Sequence, residues 1–187
     1  HTGGIRNSHF SSATVDDRHK VLSYINFSGK ALMEKVDSLF DIFDELFGEY
    51  SFDDTKRLIE IIRSSKADME DSIVPHGNHY VSARLQSYQS RLGKFDELTD
   101  GITYYRFLEQ LLERVEKNPA EVAAQFRQVT ERVFTRKNAL FNITSGKKDY
   151  QIIEKRISRT VGFLSDKEWE KEEWDLKVEP LNEGFLT

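Results

Sequence analysis

Cysteine is absent from this chain of 187 residues. Its absence excludes disulfide bonds, a thiolate nucleophile and any zinc site built from cysteine ligands. It also favours a reducing compartment such as the cytoplasm, where disulfides are rare. Any catalytic or metal chemistry in this sequence must therefore use other side chains.

Long apolar runs are missing as well, since no stretch reaches the roughly 18 apolar residues of a membrane-spanning helix. The chain opens at His1 with a polar segment that lacks the pattern of a signal peptide. We therefore expect no membrane partner. The start without methionine predicts either processing or a segment taken from a longer protein.

Basic residues are fewer than acidic ones, 27 against 32, and the formal net charge is −5. A protein that binds the phosphate backbone of a nucleic acid needs a concentrated basic face. The basic pair Lys147-Lys148 is too short to form one. The charge pattern predicts that the partner is neither DNA nor RNA.

Three short segments show the two-residue alternation that is typical of strands. They are residues 5–10, 21–27 and 140–144. Residues 11–18 are polar and predict a turn or loop between the first two segments. The sequence therefore predicts a small sheet built from widely separated strands.

Helical periodicity dominates the rest of the chain. The apolar stripes cover residues 32–47, 58–73, 79–92, 104–115, 122–133 and 149–164. Gly48 is expected to end the first helix and Asp53 to cap the second. Pro75 predicts a bend in a long helix or a kinked pair, and Asn118-Pro119 followed by Glu121 predicts a helix start. The predicted class is α+β, with several long helices on a small sheet.

Five histidines raise the question of a metal site. His76 and His79 have a spacing that can place two imidazoles on one helical face. A zinc site for hydrolysis also needs a third ligand and a carboxylate base, and neither HExxH nor HxxEH occurs in the sequence. Two readings stay open, a metal pair and ordinary hydrogen bonding at a bend, and the second is favoured.

The other candidate groups have plain structural interpretations beside the functional ones. The segment His1–Gly4 suggests either an anion-binding loop or a strand edge or turn that needs glycine, and the second is favoured. The aromatic pair Tyr104-Tyr105 fits either a peptide or cofactor groove or, as we favour, the core. The acidic side chains are expected mostly on solvated helix faces and at caps; they are Asp41, Asp44, Glu45, Asp53 and Asp54. We assign no catalytic, cofactor-binding or metal-ligating residue to this chain.

Extended segments of the chain resemble the presequence-protease branch of the insulinase/pitrilysin-type zinc peptidases. In chain order these are HTGGI, FSGKALMEKVDSLFDIFDELF, FDDTKRLIEIIRSSKADMEDSIVPHGNHYVSAR, LTDGITYYRFLEQLL and LNEGFLT. The resemblance implies a domain of the LuxS/MPP-like, metallopeptidase-half type. It also implies the third of four domains, with residues 1–164 as the domain and residues 165–187 as a charged linker and a first strand toward the next domain.

In that family two halves form a clamshell around a peptide chamber, and zinc is held by HxxEH and a distal glutamate in the N-terminal domain. The resemblance therefore implies a chamber-wall domain without a zinc ligand, whose partners are peptide substrate and sister domains. The alternatives are a peptide-binding or scaffold domain of an inactive homologue, and a free-standing helical interaction module.

Overall fold

Helices and one β-hairpin make up the structure, a computed structural model that describes residues 3–170, 174 and 176–178. The strands are β1 (Ile5–Ala13) and β2 (Val21–Gly29), and the helices are α1 (Val36–Gly48), α2 (Thr55–Ile73), α3 (Gly77–Ser87), α4 (Arg91–Asp100), α5 (Ile102–Lys117), α6 (Pro119–Val133) and α7 (Tyr150–Gly162), with short 3-10 helices at Met33–Lys35 and Arg136–Asn138. The predicted α+β class is confirmed. None of the described helices is long and apolar enough to cross a bilayer.

The two strands form an antiparallel hairpin. Its ends are closed by hydrogen bonds from Lys30 N to Gly4 O at 3.2 Å and from Thr14 N to Lys20 O at 3.0 Å. Gly4 has a φ of 108°, a conformation that favours glycine. Gly4 thus lies at the edge of the hairpin, one of the two structural roles that we favoured for the opening glycines, and His1 and Thr2 lie outside the described residues.

The third predicted strand is wrong. Residues 140–144 have no helix or strand. Leu140 is 86 % exposed, whereas Ile143 packs against the cluster of Val36, Phe40 and Ile153. One anchored side chain in a loop thus produced the alternation that indicated a strand.

Pro75 lies in the three-residue break between α2 and α3, so the prediction of a kinked pair is confirmed. The predicted helix over residues 79–92 is wrong at its end, because α3 stops at Ser87 and a new helix begins. Ser90 caps that helix by accepting a 2.9 Å hydrogen bond from Gly93 N. A serine in extended conformation offers its hydroxyl to the first free N–H groups, which favours a new helix over continuation.

The predicted caps are partly confirmed. Asn118 and Glu121 form a reciprocal pair, with Glu121 N donating to Asn118 Oδ1 at 3.4 Å and Asn118 Nδ2 donating to Glu121 Oε2 at 3.1 Å. The cap of α2 is Asp54, which accepts from Arg57 N at 2.9 Å, and not Asp53. Asp53 instead pairs with Arg127 at 3.1 Å.

Gly48 is the last residue of α1, but its backbone is not left-handed. A Cβ at this position would lie 2.3 Å from Cδ1 of Phe163. Gly48 therefore ends α1 as predicted, and the requirement for glycine there is the close packing of Phe163, not a left-handed cap. The predicted buried stripe of α6 is also wrong at Val129 and Val133, which are 58 % and 37 % exposed.

The described residues divide into two compact units, each with a core of its own. The first comprises residues 3–8, 26–53 and 123–170. Its core joins α1 to α7 through Val36, Phe40 and Ile153, and Phe27, Phe47 and Phe134 add edge-to-face ring contacts.

The second unit comprises residues 9–25, 54–122, 174 and 176–178. Its helices α2 to α5 pack around Met69, Tyr80 and Leu108. Val115 is fully buried in the same helix as Leu108. Burial of this apolar stripe explains why α5 forms at the predicted place.

The segment after α7 runs along the surface of the first unit. Ser165 forms a parallel bridge with Thr135, and Arg136 pairs with Asp166 at 2.8 Å. The exposed Trp169 has the Arg132 guanidinium 5.1 Å from its ring centre. Residues 181–187, predicted to begin a further element, lie outside the described residues.

Candidate functional site

The first unit contains a buried carboxylate, that of Asp44 on α1, which is 5 % exposed. One of its oxygens accepts a 2.5 Å hydrogen bond from the Thr160 hydroxyl. The other lies 3.4 Å from nitrogens of Arg156 and Arg159, and Arg156 also meets the exposed Asp41 at 2.5 Å. The expectation of solvated acidic side chains is therefore wrong for Asp44, whose charge is paired and joins α1 to α7.

The second unit contains another buried carboxylate, that of Glu97 on α4. Its Oε1 accepts hydrogen bonds from the backbone N–H of Thr103 at 3.1 Å and from the Thr103 hydroxyl at 2.9 Å, and Arg84 lies 3.3 Å away. Because Thr103 lies in the first turn of α5, Glu97 caps that helix from its neighbour. A Cβ at Gly101 would lie 2.0 Å from Glu97 Oε2, so the capping carboxylate needs a glycine there.

The two histidines at the bend make separate contacts. His76 Nδ1 lies 3.1 Å from the Ser72 carbonyl, to which it donates in the tautomer protonated at that nitrogen. His79 Nε2 is 3.9 Å from Asp100, and 61 % of its side chain is exposed. Within residues 3–170, 174 and 176–178, no three histidine, aspartate or glutamate side chains are grouped to hold a metal. That the chain has no metal site stays a prediction.

The tyrosine pair belongs to the second unit's core, as we favoured. Tyr104 and Tyr105 both pack against the buried cluster of that unit. Burial raises the pKa of the Tyr104 phenol, and the negative charge of Asp100 raises it further. Desolvation likewise raises the pKa of Tyr105. These side chains contribute to the packing of that core.

A cavity of about 430 Å³ opens on the second unit. Its lining residues are His19, Arg91, Leu176, Lys177 and Val178. Arg91 Nη2 donates to the Trp174 carbonyl at 3.3 Å. The Trp174 ring stacks on Phe95 with centroids 4.8 Å apart, which holds this part of the chain beside α4. We call this cavity the Arg91 pocket.

The Arg91 pocket brings together two cationic side chains, an imidazole and two apolar residues. Such a lining suits a small anion that carries an apolar part. Sequence reasoning missed it because its members come from the hairpin turn, the start of α4 and a segment after α7. The only local signal was a tryptophan in a charged stretch, Trp174, which we interpreted as part of a linker.

Comparison with known proteins gives relatives that are much longer than this chain. It is 26% identical over 186 residues to Protein HypA of Clostridium perfringens, which covers 100% of this chain and 19% of that protein. It is 24% identical over 165 residues to Presequence protease 1, chloroplastic/mitochondrial, of Arabidopsis thaliana, with 88% of this chain and 15% of that protein covered. The mitochondrial Presequence protease of Yarrowia lipolytica is 28% identical over 127 residues, which is 66% of this chain and 13% of that protein. The chain thus spans about a fifth of the length of these curated relatives, or less.

Residues 1–111 match the family described as Peptidase M-16C associated. The matched part is more than half of the chain and contains the hairpin and helices α1 to α4. It also contains most of the segments that carry the resemblance to presequence proteases. The chain belongs to this peptidase-associated family, within the insulinase/pitrilysin-type peptidases.

Proposed function

We propose that this chain is a non-catalytic chamber-wall domain of a zinc metallopeptidase that degrades short unstructured peptides. The observation that carries the proposal is the family match together with relatives named presequence proteases, one of which aligns with 88% of the chain. The aligned region is only 15% of that relative. A small share of a large peptidase fits one wall of a chamber better than a complete catalytic unit.

The contribution of a wall domain is shape, because closure of a chamber excludes folded proteins and aligns a peptide for attack. Buried carboxylates that bond to a neighbouring helix support such a role, because these polar ties resist the sliding of packed helices. The first unit has one between α1 and α7 at Asp44, and the second has one between α4 and α5 at Glu97. Each tie fixes helices within its own unit.

In this proposal zinc binds to another part of the protein and not to this chain. The described residues offer no group of three potential ligands, and the closest approach to a pair, His76 and His79, makes separate contacts. The residues present therefore do not fit zinc, and no step is assigned to a metal on this chain. We keep residues 1–164 as the proposed third domain, and residues 165–187 as the proposed charged linker and first strand toward the next domain.

The test compares this chain with the whole protein that carries it. Each is incubated with zinc and an internally quenched unstructured peptide, and cleavage is followed by fluorescence. We expect hydrolysis by the whole protein and none by the chain alone. Robust hydrolysis by the isolated chain would refute the proposal.

The second candidate is a peptide-binding or scaffold domain of a catalytically inactive homologue. The same experiment separates the two when the zinc content of the purified whole protein is measured alongside. A protein that binds peptides but neither retains zinc nor cleaves them supports the scaffold. Stoichiometric zinc with cleavage supports the peptidase.

A further inference from the structure

We propose that the Arg91 pocket binds the free C-terminal carboxylate of a peptide. This inference rests on the proposed function, because it names the part of a peptide that this domain would hold. It adds a defined contact to the general role of a wall. It also assigns a binding role to residues 174 and 176–178, which the sequence presented as part of a linker.

Arg91 is the centre of the argument. A guanidinium has five N–H donors in a planar fork that matches a carboxylate. Among the described residues Arg91 has one hydrogen-bond partner, the Trp174 carbonyl at 3.3 Å, and this bond uses one of the five donors of its guanidinium. The bond to Trp174 also holds the side chain in place, which reduces the entropy lost when a ligand binds.

The remaining lining residues complement Arg91. Lys177 adds a second positive charge and His19 adds an imidazole to the lining. The carboxylate of Asp17 in the hairpin turn accepts a 2.8 Å hydrogen bond from His19 N. That bond anchors the turn that carries His19.

The apolar lining distinguishes a peptide terminus from a bare ion. Leu176 and Val178 line the cavity, so the last side chain of a peptide would meet apolar residues beside the cations. The volume of about 430 Å³ falls within the range of small-ligand pockets, about 300–1,000 Å³. Nucleic acid is a poor fit, since two cations in a chain of net charge −5 do not make a phosphate-tracking face.

Trp174 provides the readout, because it stacks on Phe95 at 4.8 Å and accepts from Arg91. Its fluorescence is followed in the chain with Trp169→Phe, which removes the other tryptophan. The probes are N-acetylated tetrapeptides that end in valine, one with a free carboxylate and one with a carboxamide. We expect saturable binding of the acid and affinity for the amide lower by about tenfold, because the amide cannot form the charge-assisted pair.

Variants test whether the pocket is responsible. Arg91→Gln is expected to weaken binding of the acid by about tenfold, whereas Lys94→Gln, the same charge change further along α4, should leave the affinity within about twofold. Lys177→Gln is expected to weaken it less than Arg91→Gln and does not disturb the bond to Trp174. A melting curve is recorded for each variant. If Arg91→Gln is unfolded, the affinity of Lys177→Gln for the acid peptide is compared with that of Lys94→Gln instead.

Three results would overturn the inference. The first is equal affinity for acid and amide, and the second is an equal loss in the Lys94→Gln control. The third is inorganic phosphate binding as tightly as the acid peptide, which would make the pocket a phosphate site. None of these depends on hydrolysis, so failure here leaves the chamber-wall proposal standing. Conversely, if the chain binds the acid peptide but the whole protein is not a zinc peptidase, only the chamber-wall proposal fails.

Discussion

The hydroxyl of Thr160 on α7 donates a 2.5 Å hydrogen bond to the buried carboxylate of Asp44 on α1. Thr160 is 1 % exposed and Asp44 is 5 % exposed, so water cannot easily replace this bond. The two residues lie 116 positions apart in the sequence. The bond therefore joins the ends of a long stretch of chain within the first unit.

Thr160→Val is expected to lower the free energy of unfolding by about 1–3 kcal/mol, because it keeps the shape but leaves a buried acceptor without this donor. Thr160→Ser keeps the hydroxyl and should cost less. Urea denaturation of both variants measures the difference. Equal stability of the valine variant and the native chain would show that Asp44 does not depend on this bond.

Arg156→Met is expected to destabilise the chain by about 3 kcal/mol, because the buried carboxylate of Asp44 loses its buried cationic partner and keeps only the exposed Arg159. The Arg156 side chain is 14 % exposed and that of Asp44 is 7 % exposed. Arg159→Met is the matched control, since Arg159 touches the same carboxylate but is 61 % exposed. Its cost should stay below about 1 kcal/mol. Similar losses in both variants would contradict the distinction that burial makes between the two arginines.

Gly93→Ala is expected to destabilise the second unit by about 1–3 kcal/mol through overpacking. A Cβ there would lie 2.3 Å from the carbonyl oxygen of Gln86, which is backbone and cannot swing aside. Gly162→Ala is the control in another helix, because no atom lies within 4 Å of its Cβ position. That variant should gain about 0.5–1 kcal/mol from helix propensity. Thermal denaturation that ranks the two in the opposite order would contradict the packing of α3 against α4.

Tyr104 is expected to lower the stability of the folded chain at alkaline pH. Because burial and then Asp100 raise the pKa of its phenol in the folded state, the unfolded chain loses this proton first. Stability should therefore fall as pH rises from the unfolded pKa, about 10, toward the folded pKa. Tyr104→Phe is expected to remove part of that fall, measured by urea midpoints at about pH 9 and about pH 11.

Asp100→Asn serves as the companion variant for this titration. Removing the negative charge is expected to lower the pKa of Tyr104, while the contribution of burial remains. Titration of tyrosinate absorbance follows the change directly. An alkaline slope that is identical in the native chain and in Tyr104→Phe would show that the phenol does not contribute.

Local patterns were read correctly from the sequence where local chemistry decides the structure. Asn118 accepts from the backbone N–H of Glu121 and the two side chains also bond each other, all within one turn, so this helix start was visible as a motif. The two-residue alternation predicted the two strands of the hairpin, and the apolar stripes predicted the helices. Prediction failed where a distant partner decides, as at Asp44, whose acidic neighbours suggested a solvated face.

The candidate site follows the same rule. The Arg91 pocket combines His19, Arg91 and Lys177, which no sequence window contains together. Gly48 was predicted from its place at the end of a helix, but the requirement for glycine there comes from the ring of Phe163, which lies far along the chain. The absence of a zinc motif and the family resemblance were visible in the sequence, but the position of an anion-sized cavity was not.

The pairing of α1 with α7 has a consequence for how this chain is made. A ribosome releases α1 well before α7, the helix that covers Val36 and Phe40. The helices of the second unit, by contrast, follow one another and can pack during synthesis. The apolar face of α1 therefore stays uncovered until α7 is made. Contacts between segments that are distant in the sequence also form slowly. Any aggregation of the nascent chain should begin at α1.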